Sequence, residues 1–464
     1  MGIDSAHPLY SAMLPIWKRC RDAYEGEDAV KKAGETYLPR MSAKQPPQEY
    51  EAYKQRASYY GAVARTIDGF VGAIARKSHS FTLPAKIAHL EHDTTGDGVG
   101  INEFVRAMSG EDMLQGRLGV LVDIDPDGKP FLTYYTAESI TNWSNDSVVV
   151  FETVFEADPK DPYATVAVGQ YRQFYLADGA YTVTKWRKLK VAGQTREQWV
   201  PVETVQPTMS GRLMGQLPWF WCSMLGVTSR LTKPPLLGLV NVALSHYRSS
   251  ADLEHGRHFA GRPTLYITGW DPEGGIQVGG ASALIIPNED AKVGYAEFTG
   301  QGLGSLEKAL ESKEHQIAAM GAAAFAKGAA RSEPVVTANV RASGETSLLA
   351  AVTAAVEETL TDALQFAAQW VNAAGDVKVS LNKDFAQEVI DPQTLTGLIA
   401  ALQMGAIDLP TFLYTLEQSD LLAPTSDYLD LAKQLQAGFD ARLAALTAKP
   451  TQGAPAKPSA GAAQ

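Results

Sequence analysis

Residues 236–259 read LLGLVNVALSHYRSSADLEHGRHF, and residues 303–325 read LGSLEKALESKEHQIAAMGAAAF. In the first stretch Leu239, Val240, Ala243, Leu244 and Tyr247 recur at helical spacing, which predicts a helix over Leu236–Phe259. Lys233-Pro-Pro235 precedes it, and Gly261-Arg-Pro263 stops it because proline disfavours helix at the residue before it. In the second stretch Leu303, Leu306, Leu310 and Ile317 share one side, predicting a helix over Leu303–Phe325. Between the two, Thr264–Phe298 carries the apolar runs Leu265-Tyr-Ile267 and Leu284-Ile-Ile286. Asp271-Pro-Glu-Gly-Gly275 and Pro287-Asn288 cut them, as strands are cut by turns. A loop at Ala326–Pro334 follows, then a helix from about Val336 to Val371. Its stripe is Leu348, Leu349, Val352, Val356, Leu360, Leu364 and Val371. At ~1.5 Å per residue that helix is roughly 50 Å long. No stretch of equal length offers to cover it, which hints at packing against copies of itself in a ring or bundle.

A chain of 464 residues suggests roughly three domains. With 45% hydrophobic and 20% charged residues it has ordinary globular composition. The formal charge of −11, without a run of Lys and Arg, argues against a protein that grips nucleic acid tightly. Two cysteines, Cys20 and Cys222, cannot make a disulfide framework, so a reducing compartment is expected. Met1-Gly-Ile-Asp-Ser5 does not open like a signal peptide. Leu213–Ser229, the longest uncharged apolar-leaning run, falls short of the ~20 residues of a membrane span and reads as a buried strand with its flanks.

Residues 1–90 read as helical, with an amphipathic start at Pro8–Tyr24. Gln48–Arg76 follows as one helix carrying Tyr53, Ala57, Tyr60, Ala64, Ile67, Val71 and Ile74. Another helix is predicted at Ile101–Gln115. From Gly116 the pattern turns to β: Leu118–Ile124, the turn Asp125-Pro-Asp-Gly128 and Pro130–Tyr135 make a hairpin. Further strands are predicted at Val148–Phe155, Thr165–Leu176, Tyr181–Leu189 and Trp199–Val205, and a late one at Val377–Leu381. Asp391–Ala448 reads as a few helices with Gly405 as a stop, and Lys449–Gln464 as a disordered tail.

Chemistry-bearing motifs are weak. Asp123-x-Asp125-x-Asp127-Gly128 has Tyr134 where a calcium loop needs its twelfth-position Glu, so a hairpin turn is the better reading. Gly300-x-Gly302-x-Gly304 lacks the third glycine spacing and the βαβ unit of a dinucleotide fingerprint, and reads as a joint into a helix. His255 with His258, and His89 with His92, are pairs too small for a zinc site. No nucleophile elbow or phosphate-cradling loop is found, so no enzyme, cofactor or metal is expected.

The chain resembles the portal proteins of tailed bacteriophages, and most of all a portal group long catalogued as a domain of unknown function. The stretches that carry this are Tyr37-Leu-Pro-Arg40, Arg65-Thr-Ile-Asp68 and Gly116-Arg-Leu-Gly-Val-Leu-Val-Asp123. Ala137-Glu-Ser-Ile-Thr-Asn-Trp143, Pro235-Leu-Leu-Gly-Leu239 with Ser250-Ala-Asp-Leu253, and Thr337–Leu348 complete the set. Together with the plan helix, insert, helix, loop, helix, they cover most of residues 35–375.

The resemblance implies an α+β portal fold. Residues 1–230 would be the wing, helices then antiparallel β, with 231–260 the first stem helix and 261–300 a small β-rich clip. Residues 301–325 would be the second stem helix, 326–335 the tunnel loop, 336–375 the long wing helix, 376–448 a helical crown, and 449–464 the tail. It also implies a homo-oligomeric ring, commonly of twelve copies, at one capsid vertex of a virion made in the host cytoplasm. Double-stranded DNA would pass through it without sequence preference. Its partners would be the terminase large subunit, a tail adaptor, and the major capsid and scaffolding proteins, with no membrane. In the tunnel loop, Lys327 and Arg331 would meet DNA phosphates in the channel, and Ser343-Gly344 would kink the long helix, since Gly costs ~1 kcal/mol there relative to Ala. Alternatives are another head or connector component, such as an adaptor or minor capsid protein, and more remotely a nucleotide-binding enzyme using Gly300–Gly304.

Overall fold

The computed structural model describes residues 2–158, 161–190, 196–224, 231–261, 264–269, 290, 292–296, 302–321, 335–383, 385, 392–418, 421–422 and 430–438. The fold is α+β and divides into two compact units, Met1–Phe385 and Ala386–Gln464.

The first unit opens with five helices: α1 (Pro8–Glu25), α2 (Glu27–Lys32), α3 (Pro47–Arg56), α4 (Ala62–Ile74) and α5 (Ile101–Gln115). In α1 the His7 ring caps the N-terminus by accepting from the Leu9 amide at 3.1 Å, and Pro8 supplies the preset first turn. Trp17, Cys20 and Ala23, three apart, are its buried face. Helix α5 ends on Gly116 at φ +75, a left-handed cap that favours glycine and sends the chain straight into the sheet.

The single helix expected over Gln48–Arg76 is in fact α3 and α4, broken at Ala57–Gly61. Ala57 is extended, and the Ser58 amide donates to Ser250 Oγ at 3.0 Å while the Tyr59 hydroxyl donates to the Ala23 carbonyl at 2.9 Å. Tertiary hydrogen bonds thus replace the helical ones, which periodicity alone could not reveal.

The strands of this unit are β1 (Ser80–Thr82), β2 (Leu118–Ile124), β3 (Pro130–Thr136), β4 (Ile140–Trp143), β5 (Ser147–Asp158), β6 (Asp161–Ala177), β7 (Ala180–Lys190), β8 (Glu197–Val205), β9 (Thr208–Met209), β10 (Arg212–Leu213) and β11 (Trp219–Cys222). They form an antiparallel sheet β11-β2-β3 and a second, β4-β5-β6-β7-β8. The β2–β3 hairpin turns on Gly128 at φ +81, with the Lys129 amide donating to Asp125 Oδ1 at 2.8 Å, so the stretch is a hairpin turn held by Asp125, as expected. In β2 Leu118, Val120, Leu121 and Val122 are all buried. Gly119 lies under the Trp219 ring of the neighbouring strand, where a Cβ would come within 2.0 Å of Cζ2. β5 begins in the core and runs out into solvent, and β6 returns: Val148 and Val150 are buried, Phe155 and Tyr163 are exposed, and Phe174 is buried again.

Helix α6 (Leu237–Ala260), strands β12 (Thr264–Thr268) and β13 (Lys292–Ala296), helix α7 (Leu303–Ala319), helix α8 (Val335–Trp370) and strand β14 (Lys378–Ser380) complete the unit. Helix α7 ends earlier than Phe325: Met320 caps it and Gly321 follows, a poor helix former. Phe325 itself, like Leu284-Ile-Ile286, lies outside the described residues.

Helix α8 corrects one expectation. From Leu349 to Ala367 its stripe does have a partner within the chain. Leu349, Val352, Val356, Leu360, Leu364 and Ala367 are buried, packed on β11, β2, α5 and β14. Trp370 Nε1 donates to the Thr208 carbonyl at 3.0 Å, and Glu357 accepts from the Leu381 amide at 2.8 Å. Each fully buried side chain contributes roughly 1.5–3 kcal/mol, so this helix is the spine of the core and its stripe is no argument for self-association. β14 pairs with β1, placing Lys378–Ser380 within this unit.

The second unit contains α9 (Pro392–Gln403) and α10 (Leu409–Gln418). Gly405 at φ +73 ends the first, and Asp408 caps the second by accepting from the Thr411 amide at 3.1 Å.

Candidate functional site: the helix pair around the hairpin insert

The region that singles this chain out is α6, its hairpin β12–β13, and α7. Helix α6 is two-faced along its length. Leu239, Val240, Ala243, Leu244, Tyr247, Ala251 and Leu253 are buried, whereas Phe259 near its end is 54% exposed, so the helix leaves the core about two turns before it stops. Helix α7 packs along it. Lys313 Nζ donates to the Ser245 carbonyl at 3.1 Å and bonds Ser249 Oγ, His246 Nε2 lies 3.2 Å from Glu314, and Ile317 is buried. Burial, then the Arg248 charge, lowers the Lys313 pKa. Toward the hairpin, Arg257 reaches both Glu254 and Glu307 at 2.8 Å. Gly256 leaves room for Leu303, whose Cδ2 would sit 2.6 Å from a Cβ there. Polar pairs two turns apart and one close approach fix the register of the pair.

The hairpin pairs Thr264–Thr268 with Lys292–Ala296, antiparallel. Tyr266, Val293 and Tyr295 are each about half exposed, giving it an apolar, aromatic surface on two strands. Tyr266 covers Gly294, where a Cβ would meet its hydroxyl at 2.7 Å.

Lys327 and Arg331 lie outside the described residues. Ser343 and Gly344 fall within the α-helical span of α8, which is assigned as one helix from Val335. Gly302 and Gly304 stand at the start of α7, while Gly300 is outside the described residues.

The stretches on which the resemblance rests supply long-range pairings: those of Tyr37, Ser250 and Asp252 seat α6 on the body, and those of Asp68, Asp123 and Glu138 tie the body to itself. The Tyr37 hydroxyl donates to Asp22 at 2.6 Å, and its carbonyl accepts from Arg248 of α6 at 3.5 Å. Asp252 of α6 accepts from the Tyr53 hydroxyl at 2.6 Å, and Ser250 accepts from the Ser58 amide. Asp68 accepts from Tyr24 at 3.0 Å, and Asp123 from Arg172 at 3.0 Å. Glu138 and Glu111 hold Arg21 in a fork of four bonds between 2.7 and 3.1 Å. Burial opposes the Arg21 charge, but the bonds from the two carboxylates outweigh it and raise the pKa. These pairings join residues far apart in sequence, so no local signal announces them.

Of the paired histidines, His255 and His89 contact neighbouring rings and a carbonyl, respectively. His255 meets the Tyr53 and Phe259 rings edge-on and its pKa is lowered, first by burial, and His89 contacts the Pro130 carbonyl at 3.0 Å. Cys20 and Cys222 are buried free thiols; burial pushes Cys20 up to about 12. Among the described residues no group of three His, Cys, Asp or Glu could hold a metal ion, and no helix is long and apolar enough to cross a membrane.

A protein-family model described as a domain of unknown function (DUF4055) matches residues 235–371, from the residues before α6 to the end of α8. No curated protein matches the chain. Among solved structures, it is similar to a chain in the neck of an empty GTA particle computed with C6 symmetry, at 14% identity, 86% of this chain and 99% of that one, with a TM-score of 0.41. It is also similar to a chain in the virion of a native gene transfer agent (GTA) particle, at 15% identity, 85% and 99% coverage and a TM-score of 0.40. A chain in the neck of a native GTA particle computed with C12 symmetry is 14% identical, with 85% and 100% coverage and a TM-score of 0.39.

Proposed function

We propose that this chain is the subunit of a portal ring at one vertex of a phage-type head, a structural conduit for double-stranded DNA rather than an enzyme. The observation that carries the reading is the order α6, β12, β13, α7, α8 among the described residues, with the register of the helix pair locked by Lys313, His246–Glu314 and Arg257. A stiff pair that projects a small hairpin and then feeds a core-spanning helix suits a part that carries load between a body and a docking tip. In this reading residues 1–230 and 336–375 are the wing, 231–260 and 301–325 the stem, 261–300 the clip, 326–335 the tunnel loop and 376–448 the crown. The apolar hairpin surface at Tyr266, Val293 and Tyr295 is where the terminase and later the tail adaptor dock. Capsid and scaffolding proteins meet the wing. Head-to-tail contacts must close into a ring or continue as a filament, and closure makes a channel. A net charge of −11 keeps phosphates from sticking to it.

Within that channel Lys327 and Arg331, repeated around the ring, make brief phosphate contacts. Their test is the double change Lys327→Ala and Arg331→Ala in particles that package DNA. Rings should still form, while heads retain less DNA, measured as nuclease-protected DNA per particle. Unaltered packaging and retention would remove this role from both residues.

A further inference from the structure

Arg117, the residue between the α5 cap and β2, is 6% exposed, yet no described residue gives it a hydrogen bond or an ion pair, and its Nη2 is buried without a partner. Its guanidinium lies 3.6 Å from the Trp221 ring centroid and 4.3 Å from that of Trp143, a cation held between two aromatic faces. Burial alone pushes its pKa down to about 9. It borders a cavity of about 870 Å³ that is also lined by His7, Leu217 and Trp219. None of the cavity's lining residues is acidic. Trp219 likewise has its Nε1 buried and unpartnered. His7 stacks on Trp143 at 4.2 Å, extending the aromatic wall.

A buried cation normally has an anion, because leaving it unpaired costs several kcal/mol. Here the walls supply aromatic faces and unused donors but no acceptor charge. We propose that this cavity is a binding site for a carboxylate borne on a flat apolar body, the carboxylate pairing with Arg117 and the body lying among Trp143, Trp219 and Trp221. Such a group is presented either by a free small organic acid or by an acidic, apolar segment of a second copy of this chain. The site does not depend on the portal reading.

The probe is phenylacetate, with neutral phenylacetamide as its control, titrated into the full-length protein. The readouts are tryptophan fluorescence excited at 295 nm and melting temperature. Phenylacetate at concentrations on the order of millimolar should change the fluorescence saturably and raise the melting temperature. Phenylacetamide should bind at least about tenfold more weakly, since a charged hydrogen bond is lost. Arg117→Met should fold and lose the phenylacetate response. Native mass spectrometry of the same samples separates the sources. Phenylacetate that lowers the assembled fraction, with Arg117→Met doing the same, assigns the site to a second copy; binding without effect on assembly assigns it to a free acid. Absence of any phenylacetate response in the natural protein, or an equal response to phenylacetamide, overturns the proposal. If Arg117→Met does not fold, that contrast in the natural protein decides alone.

Discussion

Asp112 on α5 offers the sharpest test of how this core is built. Its carboxyl is fully buried, with both oxygens lacking a side-chain partner, in the neighbourhood of Cys222 and the Met224 backbone. Burial pushes its pKa up to about 7, with the Met224 backbone offsetting only part of the effect. An unfolded aspartate titrates at ~3.9, so the folded state holds this proton roughly three units more tightly. The proton-bound form is therefore the one the fold favours: its stabilising contribution is complete below about pH 4 and lost as pH rises through about 7. At ~1.4 kcal/mol per unit, the folded protein at pH 8 carries a penalty of about 4 kcal/mol from this group, against under ~2 kcal/mol at pH 5. Asp112→Asn keeps the shape of the protonated acid and cannot ionise. Urea unfolding at fixed protein concentration should find the variant gaining on the natural protein by about 2–3 kcal/mol between pH 5 and pH 8. A difference that stays constant with pH would mean the carboxylate is compensated in the folded state, and the account of this part of the core would be wrong.

Arg21→Met strands Glu111 and Glu138, each with about a fifth or less of its side chain exposed, and should cost about 2–3 kcal/mol in the same unfolding assay, a little below the fully buried case. Gly119→Ala drives a methyl into the Trp219 ring, which Tyr135 and Phe174 hold from other sides, and should cost at least about 1–3 kcal/mol. Gly256→Ala meets only the flexible end of Leu303 and should cost well under half as much by the same measurement, although its Cβ clash is also below 3 Å. Equal costs at the two glycines would contradict the reading of which neighbour can yield.

How much was legible followed the range of the interactions. Helices α1, α5, α6 and α8 and the strands of the antiparallel sheets were readable because one apolar face repeats locally and turn residues such as Asp125–Gly128 bound them. The break at Ala57–Gly61 was not, since its compensation comes from Ser250 and Ala23. The β1–β14 pair was half visible: three residues are too short for a period, and β1 has no apolar alternation of its own. The stripe of α8 has no helix of equal length in the sequence to cover it, because its partners are strands and α5. The helix pair of the candidate site was legible from spacing. The latches that seat it, and the tryptophan sandwich around Arg117, required residues brought together from distant parts of the chain.

The central claim is that copies of this chain close into a ring with a channel. Native mass spectrometry of the purified protein, with negative-stain images of the same sample, addresses it most directly. The account predicts a closed particle of about a dozen copies, about 600 kDa for twelve chains of 49.9 kDa, with a central hole. A monomer at every concentration, unchanged when scaffolding or capsid protein is added, would contradict it.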